Sequence, residues 1–157
     1  MAIRATSHYT HDELTDKEFE ELKNGCLKAR NLSYSPYSNF RVGCALLTDG
    51  NELFLGANLE NASYPAAICA ERTAISNARM NGHNTIKAMA IASDSDKPIS
   101  PCGVCRQFIR EFGLKIPIFM FDKLGNTFIK MYLEDLLPFS FGPDDLGVIT
   151  TSSASNQ

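Results

Sequence analysis

Cys69-Ala70-Glu71-Arg72 and Pro101-Cys102-Gly103-Val104-Cys105-Arg106 are the two stretches around which the rest of the chain is organised. Together they supply three cysteines and a glutamate, the residue types of a metal site with an acid/base group beside it. A structural zinc site closes with four protein ligands, whereas a catalytic one keeps a position open for water. Here only three thiols fall at ligand spacing, and a carboxylate follows the first of them by two residues. That count favours catalysis.

Spacing also constrains the local backbone. Cys102 and Cys105 are three apart, which on a first helical turn puts both sulfurs on one face. Cys69 and Glu71 are two apart and do not share a helix face. Both approach one metal only if Cys69 sits at the mouth of its helix, where the backbone is not yet helical. Two helix N-termini then converge on the ion, and their partial positive charge helps keep the thiolates ionised.

Outward from these stretches, Ile68 to about Arg79 reads as a helix stopped by Asn81-Gly82, and Pro101 to about Phe112 as another, ended by Gly113. Thr15-Asp16-Lys17-Glu18 reads as a capping box opening an amphipathic helix over about 16–31. Strands are expected at Phe40–Leu47 and Glu52–Gly56, forming a hairpin through Asp49-Gly50-Asn51, and at Ile86–Ala92, Ile116–Phe121 and Thr127–Met131. Leu133–Leu137 gives a helical turn or two. Residues 1–11 read as a loose arm, and the polar tail over about 149–157 as disordered. The order is α-β-β-α-β-α-β-β-α in one domain over 1–157. It predicts an α/β fold in which helices cover both faces of a mixed five-stranded sheet, with parallel pairing where a helix connects consecutive strands.

A chain of 157 residues is large enough to bury a core as one domain. Its net charge is −3 and no Lys/Arg cluster stands out, which argues against nucleic acid as a partner. The start of the chain has no apolar signal region and no run approaches a membrane span. Five cysteines, an odd number, do not make a disulfide framework and fit a reducing compartment, most simply the cytosol. Cys26 and Cys44 read as small core residues.

Three thiolates give bound zinc a formal charge of −1, so something must draw charge off the sulfurs. The helix ends, Arg72 and Arg106 are the candidates, with a surface salt bridge open for either arginine. Glu71 reads as the proton carrier. The rival to an open site is His83 as a fourth ligand. Thiolates could also hold iron, although an open tetrahedral pattern fits zinc best.

Cys69-x-Glu71 with Pro101-Cys102-x-x-Cys105 resembles the signature of zinc-dependent cytidine deaminases, with cysteine for the commoner first histidine. The cysteine points to the small homotetrameric branch. The resemblance runs from Ser35-Pro36-Tyr37-Ser38-Asn39-Phe40 through Phe141-Gly142-Pro143-Asp144-Asp145-Leu146. It implies a three-layer sandwich, one zinc per subunit, and hydrolytic deamination of cytidine and deoxycytidine in pyrimidine salvage, in pockets shared between subunits. It implies further that Phe40 packs on the pyrimidine, that Asn58 and Glu60 bind the ribose hydroxyls, and that backbone groups at Ala70 meet the base edge. Tyr64 and Phe141 would reach a neighbour's pocket, and Arg72 would hydrogen-bond the thiolates. A deaminase acting on another substrate, and a non-catalytic domain with a four-ligand structural zinc, are the two rivals.

Overall fold

Alternation along the central strands sorts the apolar residues onto two faces, and each face takes its own helices. The computed structural model describes residues 8–150. Its elements are α1 (Asp16–Arg30), β1 (Val42–Leu47), β2 (Leu53–Ala57), α2 (Ala70–Met80), β3 (Ala88–Ser93), α3 (Gly103–Arg110), β4 (Pro117–Phe121), β5 (Phe128–Tyr132) and α4 (Leu133–Leu136). Short 3-10 turns at Tyr64–Ala66 and Pro143–Leu146 interrupt what the sequence suggests is plain loop and tail. Both contain a proline in the first turn, where its fixed φ is tolerated.

The sheet order is β2-β1-β3-β4-β5. β1 pairs antiparallel with both β2 and β3, β3 pairs parallel with β4, and β4 antiparallel with β5. The expected parallel pairing thus holds for β3 and β4, joined through α3. β2 and β3 also run the same way, but β1 lies between them and α2 crosses over it.

On one face Cys44, Leu46, Met89, Ile91, Ile118 and Met120 meet α2, α3 and α4 through Ala74, Ile75, Ile109 and Leu133. On the other, Ala45, Leu47, Ala88, Ala90, Phe119 and Phe121 meet α1 through Phe19, Leu22 and Cys26. Burying a side chain such as Leu22 contributes roughly 1.5–3 kcal/mol. Cys26 and Cys44 are wholly buried, as a core reading requires, and burial pushes the Cys26 thiol up to about 12.

Two glycines set how closely the helices approach. A Cβ on Gly43 would fall 2.1 Å from the Cys26 carbonyl oxygen in α1, and one on Gly56 2.3 Å from that of Ala70 in α2. The Thr15 cap is complete: Thr15 Oγ1 accepts from the Glu18 amide, and Glu18 Oε2 accepts from the Thr15 amide.

Of the expected arm, residues 8–11 are described, and they make contacts. Lys130 N–H donates to the His8 carbonyl at 2.7 Å and His8 Nδ1 lies 2.8 Å from the Lys130 carbonyl, on the free edge of β5. His11 stacks on Phe19 with ring centroids 4.2 Å apart. His8 therefore covers part of a sheet edge that would otherwise stand unpaired. Residues 1–7 and 151–157 lie outside the described part.

Candidate metal centre

Cys69 is the N-cap of α2, with φ −76° and ψ 158°, and Cys102 is the N-cap of α3, with φ −67° and ψ 166°. Both are extended, and neither side chain caps its helix. The helix-mouth position expected for Cys69 is what the backbone adopts. Cys102 differs slightly from expectation: it precedes the first turn, and Cys105 alone lies within it. The sulfurs converge all the same. Cys69 Sγ and Cys102 Sγ are 3.8 Å apart, and all three thiols lie within 4.8 Å of one another. Tetrahedral Zn–S bonds of about 2.3 Å put sulfurs about 3.8 Å apart, so the cluster fits one zinc in both donor type and spacing. Among the described residues no fourth Cys, His, Asp or Glu joins it.

Within the cluster one thiol is favoured as the thiolate at the expense of another. A hydrogen bond from Cys105 draws the Cys69 thiol down to about 5 against the opposing effect of burial, and Arg72 assists. Cys105, donating in that bond and buried, moves up in turn. Arg72 Nη2 donates to Cys69 Sγ at 3.5 Å, and the same guanidinium reaches Cys105. The two arginines that look alike in sequence part here. Arg106 donates to the Pro101 carbonyl at 2.8 Å, the Leu136 carbonyl at 2.7 Å and Ser100 Oγ at 2.7 Å. It braces the loop before Cys102 against α4 and forms neither the sulfur contact nor the salt bridge left open for it.

Glu71 stands in the first turn of α2 and is only 4% exposed. Burial, and then the negative charge of Cys69, raise its carboxyl above the usual carboxylate value, while a bond from Cys105 pulls the other way. His83 is removed as a fourth ligand. It lies beyond the far end of α2, its Nε2 3.2 Å from Glu52 Oε2 and its ring 4.9 Å from that of Phe54.

The polar loop ahead of Cys69 is tied to the centre by backbone pairing. Leu59 exchanges hydrogen bonds with Ile68 at 2.9 and 3.0 Å, and Tyr34 brackets Leu59 through Asn58 and Glu60. Asn58 is largely committed within the protein: Oδ1 accepts from Ser33 Oγ at 2.5 Å and Val42 N–H at 2.8 Å, and Nδ2 donates to the Phe40 carbonyl at 2.9 Å. One N–H of its amide is left to offer a ligand. Glu60 accepts from the amides of Tyr37 and Ser38, and with Tyr37, Ser38, Asn61, Tyr64 and Ala67 lines a pocket two residues short of Cys69.

Phe40 is 40% exposed, a large apolar ring open to a ligand. The Ala70 side chain is buried in the core, so only its backbone can face a ligand. Tyr64 packs edge-on to Tyr37 in the pocket of its own chain, with centroids 5.8 Å apart. Phe141 is not part of that pocket. It lies in a separate groove with Arg110, Phe139 and Asp144, and is 59% exposed. Sequence reading did not single out Tyr37, Ser33 or Arg110. Tyr37 has a legible signal, an aromatic in the Pro36 turn. Ser33 and Arg110 have none, because their partners are distant in the chain.

Residues 16–121 match the family model described as the cytidine and deoxycytidylate deaminase zinc-binding region. The chain is 39% identical over 130 residues to a cytidine deaminase of Sporosarcina psychrophila, covering 82% of this chain and 95% of that protein. It is 40% identical over 134 residues to a probable cytidine deaminase of Dictyostelium discoideum, covering 85% and 90%. Among solved structures, a cytidine deaminase from Burkholderia pseudomallei superposes with a TM-score of 0.75 at 37% identity, covering 82% of this chain and all of that one.

Proposed function

The chain belongs to the cytidine and deoxycytidylate deaminase zinc-binding family, and from that premise we propose that it hydrolyses cytidine and deoxycytidine to uridine and deoxyuridine, releasing ammonia. The observation that carries this reading is a three-thiol cluster with the buried carboxyl of Glu71 in contact and no fourth ligand among the described residues.

Zinc, when bound, supplies the Lewis acidity that makes water nucleophilic near neutral pH. The chain's own residues do the rest. Glu71 accepts the proton that water gives up as its oxygen adds to C4 of the ring, and hands it to N3. It then carries the second proton to the amino group, which leaves as ammonia. Burial suits the carboxyl to this traffic, since a pKa raised toward the working pH balances taking a proton against returning it. Arg72 takes charge from Cys69 and Cys105, which offsets the excess negative charge of three thiolates.

Phe40 supplies an apolar wall for the pyrimidine. The remaining N–H of Asn58 and the carboxylate of Glu60 are suited to ribose hydroxyls, and the Ala70 amide is a helix-start donor without an intrahelical partner. No basic side chain lines the pocket around Glu60, so a nucleoside suits it better than a nucleotide. The exposed ring of Phe141, outside the pocket of its own chain, supports an assembly in which neighbouring subunits complete one another's pockets, and the resemblance in sequence makes that assembly a homotetramer. One sheet carries both apolar clusters, which supports a single domain. No helix among the described residues is long and apolar enough to cross a membrane. Thiols that must stay reduced to hold metal favour the cytosol, where the reaction would serve pyrimidine salvage.

The test is ammonia release from cytidine, deoxycytidine and cytosine side by side, with zinc measured on the same sample. Turnover of cytosine alone would remove the nucleoside assignment. Glu71→Gln is expected to keep its zinc and lose about 10²–10⁴-fold in turnover. An E71Q protein as active as the parent would sink the role given to this residue.

A further inference from the structure

Phe141 projects from the surface, yet the backbone on both sides of it is held. Arg110, in the last turn of α3, has a side chain only 7% exposed. It donates from Nε to Ser140 Oγ at 2.9 Å and from Nη2 to Asp144 Oδ1 at 2.6 Å. Gly142 lies against the guanidinium between these bonds: a Cβ there would fall 2.3 Å from Arg110 Cζ and 2.5 Å from both terminal nitrogens. Gln107, one turn earlier on α3, donates Nε2 to the Phe141 carbonyl at 3.0 Å. Just upstream, Phe139, its ring fully exposed, holds a left-handed backbone with φ 53°.

Stability alone is a weak reason for this arrangement. The Asp144 side chain is 65% exposed, and pairing a buried guanidinium with a solvated carboxylate gains little. What the planar fork does provide is direction. It fixes Ser140, Gly142 and Asp144 around one rigid group, and so fixes where the intervening ring points. The clamp sits on the same helix whose opposite end carries Cys102 and Cys105, so the backbone that bears the ring is held at a set position relative to the thiols.

We propose that Arg110 is a positioning residue for nucleoside binding, holding Phe141 in the orientation in which it completes a neighbouring subunit's pocket. This rests on the reading that Phe141 serves that pocket. Arg110 touches no substrate and acts only through the ring.

The test uses the full zinc-loaded chain and the variants F141A, R110A, D144A and the F141A/R110A double. Each is measured for kcat and KM on cytidine, zinc content, and assembly mass by light scattering. F141A is expected to raise KM roughly tenfold, about the worth of one lost aromatic contact. R110A is expected to match it, with zinc, mass and kcat close to the parent, and the double variant to be no worse than either single. D144A removes one arm of the clamp from its exposed side and is expected to shift KM the same way by a smaller factor. It decides the matter even where R110A does not accumulate. Multiplying effects in the double variant would overturn the clamp, as would parental KM in both R110A and D144A beside an impaired F141A. Either outcome leaves the reading of Phe141 standing. Loss of zinc or of assembly mass in R110A would make the arginine a structural element and likewise overturn the proposal. Parental KM in F141A removes the reading itself, and the proposal with it.

Discussion

Replacing Gly56 by alanine should weaken zinc binding without touching any group in the metal centre. Gly56 lies on β2, and α2 runs so close above it that a Cβ would fall 2.3 Å from both Ala70 O and Ala74 N, and 2.8 Å from Ala74 Cα. All three are backbone atoms, so no rotamer change relieves the clash. Ordinary contact begins at 3.4 Å, so the start of α2 must retreat by about 1 Å. Cys69, the N-cap, directly precedes Ala70 and moves with it. Cys102 and Cys105 are carried by α3 and stay. Metal–ligand distances hold to within about 0.2 Å, so a displacement of this size is several times the tolerance.

The expected outcome is a loss of about 1–3 kcal/mol in stability from overpacking, and a zinc affinity lower by about 10–100-fold. The matched control is Gly43→Ala. Its Cβ would meet Cys26 O at 2.1 Å and Arg30 N at 2.2 Å, an equal clash against α1 on the opposite face of the sheet. Competition with a chromophoric chelator measures zinc affinity, and thermal melting measures stability. G43A should lose stability and keep zinc affinity, whereas G56A should lose both. A G56A protein as destabilised as G43A but with parental zinc affinity would refute the link between this glycine and the thiol geometry.

Arg72→Ala removes a charge-assisted bond to Cys69 and is expected to lower turnover about tenfold while zinc content holds; equal activity would leave the helix ends alone managing thiolate charge. Asp122 offers a test of acid stability. Burial raises its carboxyl, but bonds from Thr127, Asn126 and Leu124 outweigh this and hold it at about 2. A depressed folded-state value contributes stability that is present above the ordinary value near 3.9 and is lost as pH falls toward about 2. Asp122→Ala should therefore lower the urea midpoint at pH 7 and flatten its decline between about pH 4 and 2; an unchanged acid slope would count against the turn bonds as its cause.

The elements were legible wherever one residue type carries one physical instruction. Thr15 and Glu18 announced the start of α1 because a capping box is local, and β1, β3 and β4 were legible as short apolar runs bounded by turn residues. Sheet order was less so. Nothing in the apolar pattern says that β1 inserts between β2 and β3, since either order buries the same side chains. The contacts of His8 and His11 were hidden for a different reason. They are a backbone bond from Lys130, the His8 ring nitrogen against the Lys130 carbonyl, and His11 stacked on Phe19, and none of them leaves a hydrophobic run.

The metal centre shows where such reading stops. Cysteine spacing and the turn geometry of a helix mouth fix one another, so Cys69, Cys102 and Cys105 could be assembled from sequence alone. Arg72 and Arg106 could not be told apart that way, because each follows a ligand segment and each carries the same charge. Helical offset does not separate them, since Arg72 is three residues after the cap Cys69 and Arg106 four after the cap Cys102, and both offsets share a face. Their difference lies in the partners within reach. Arg72 turns to the Cys69 sulfur, whereas the guanidinium of Arg106 is taken by the carbonyls of Pro101 and Leu136. Arg110, further along α3, is directed at the Ser140–Asp144 segment. The consequence for substitution is specific. Lysine at 72 keeps a charge near the thiols and should preserve much of the turnover, whereas lysine at 106 loses a fork that spans three partners at once and lysine at 110 one that spans two.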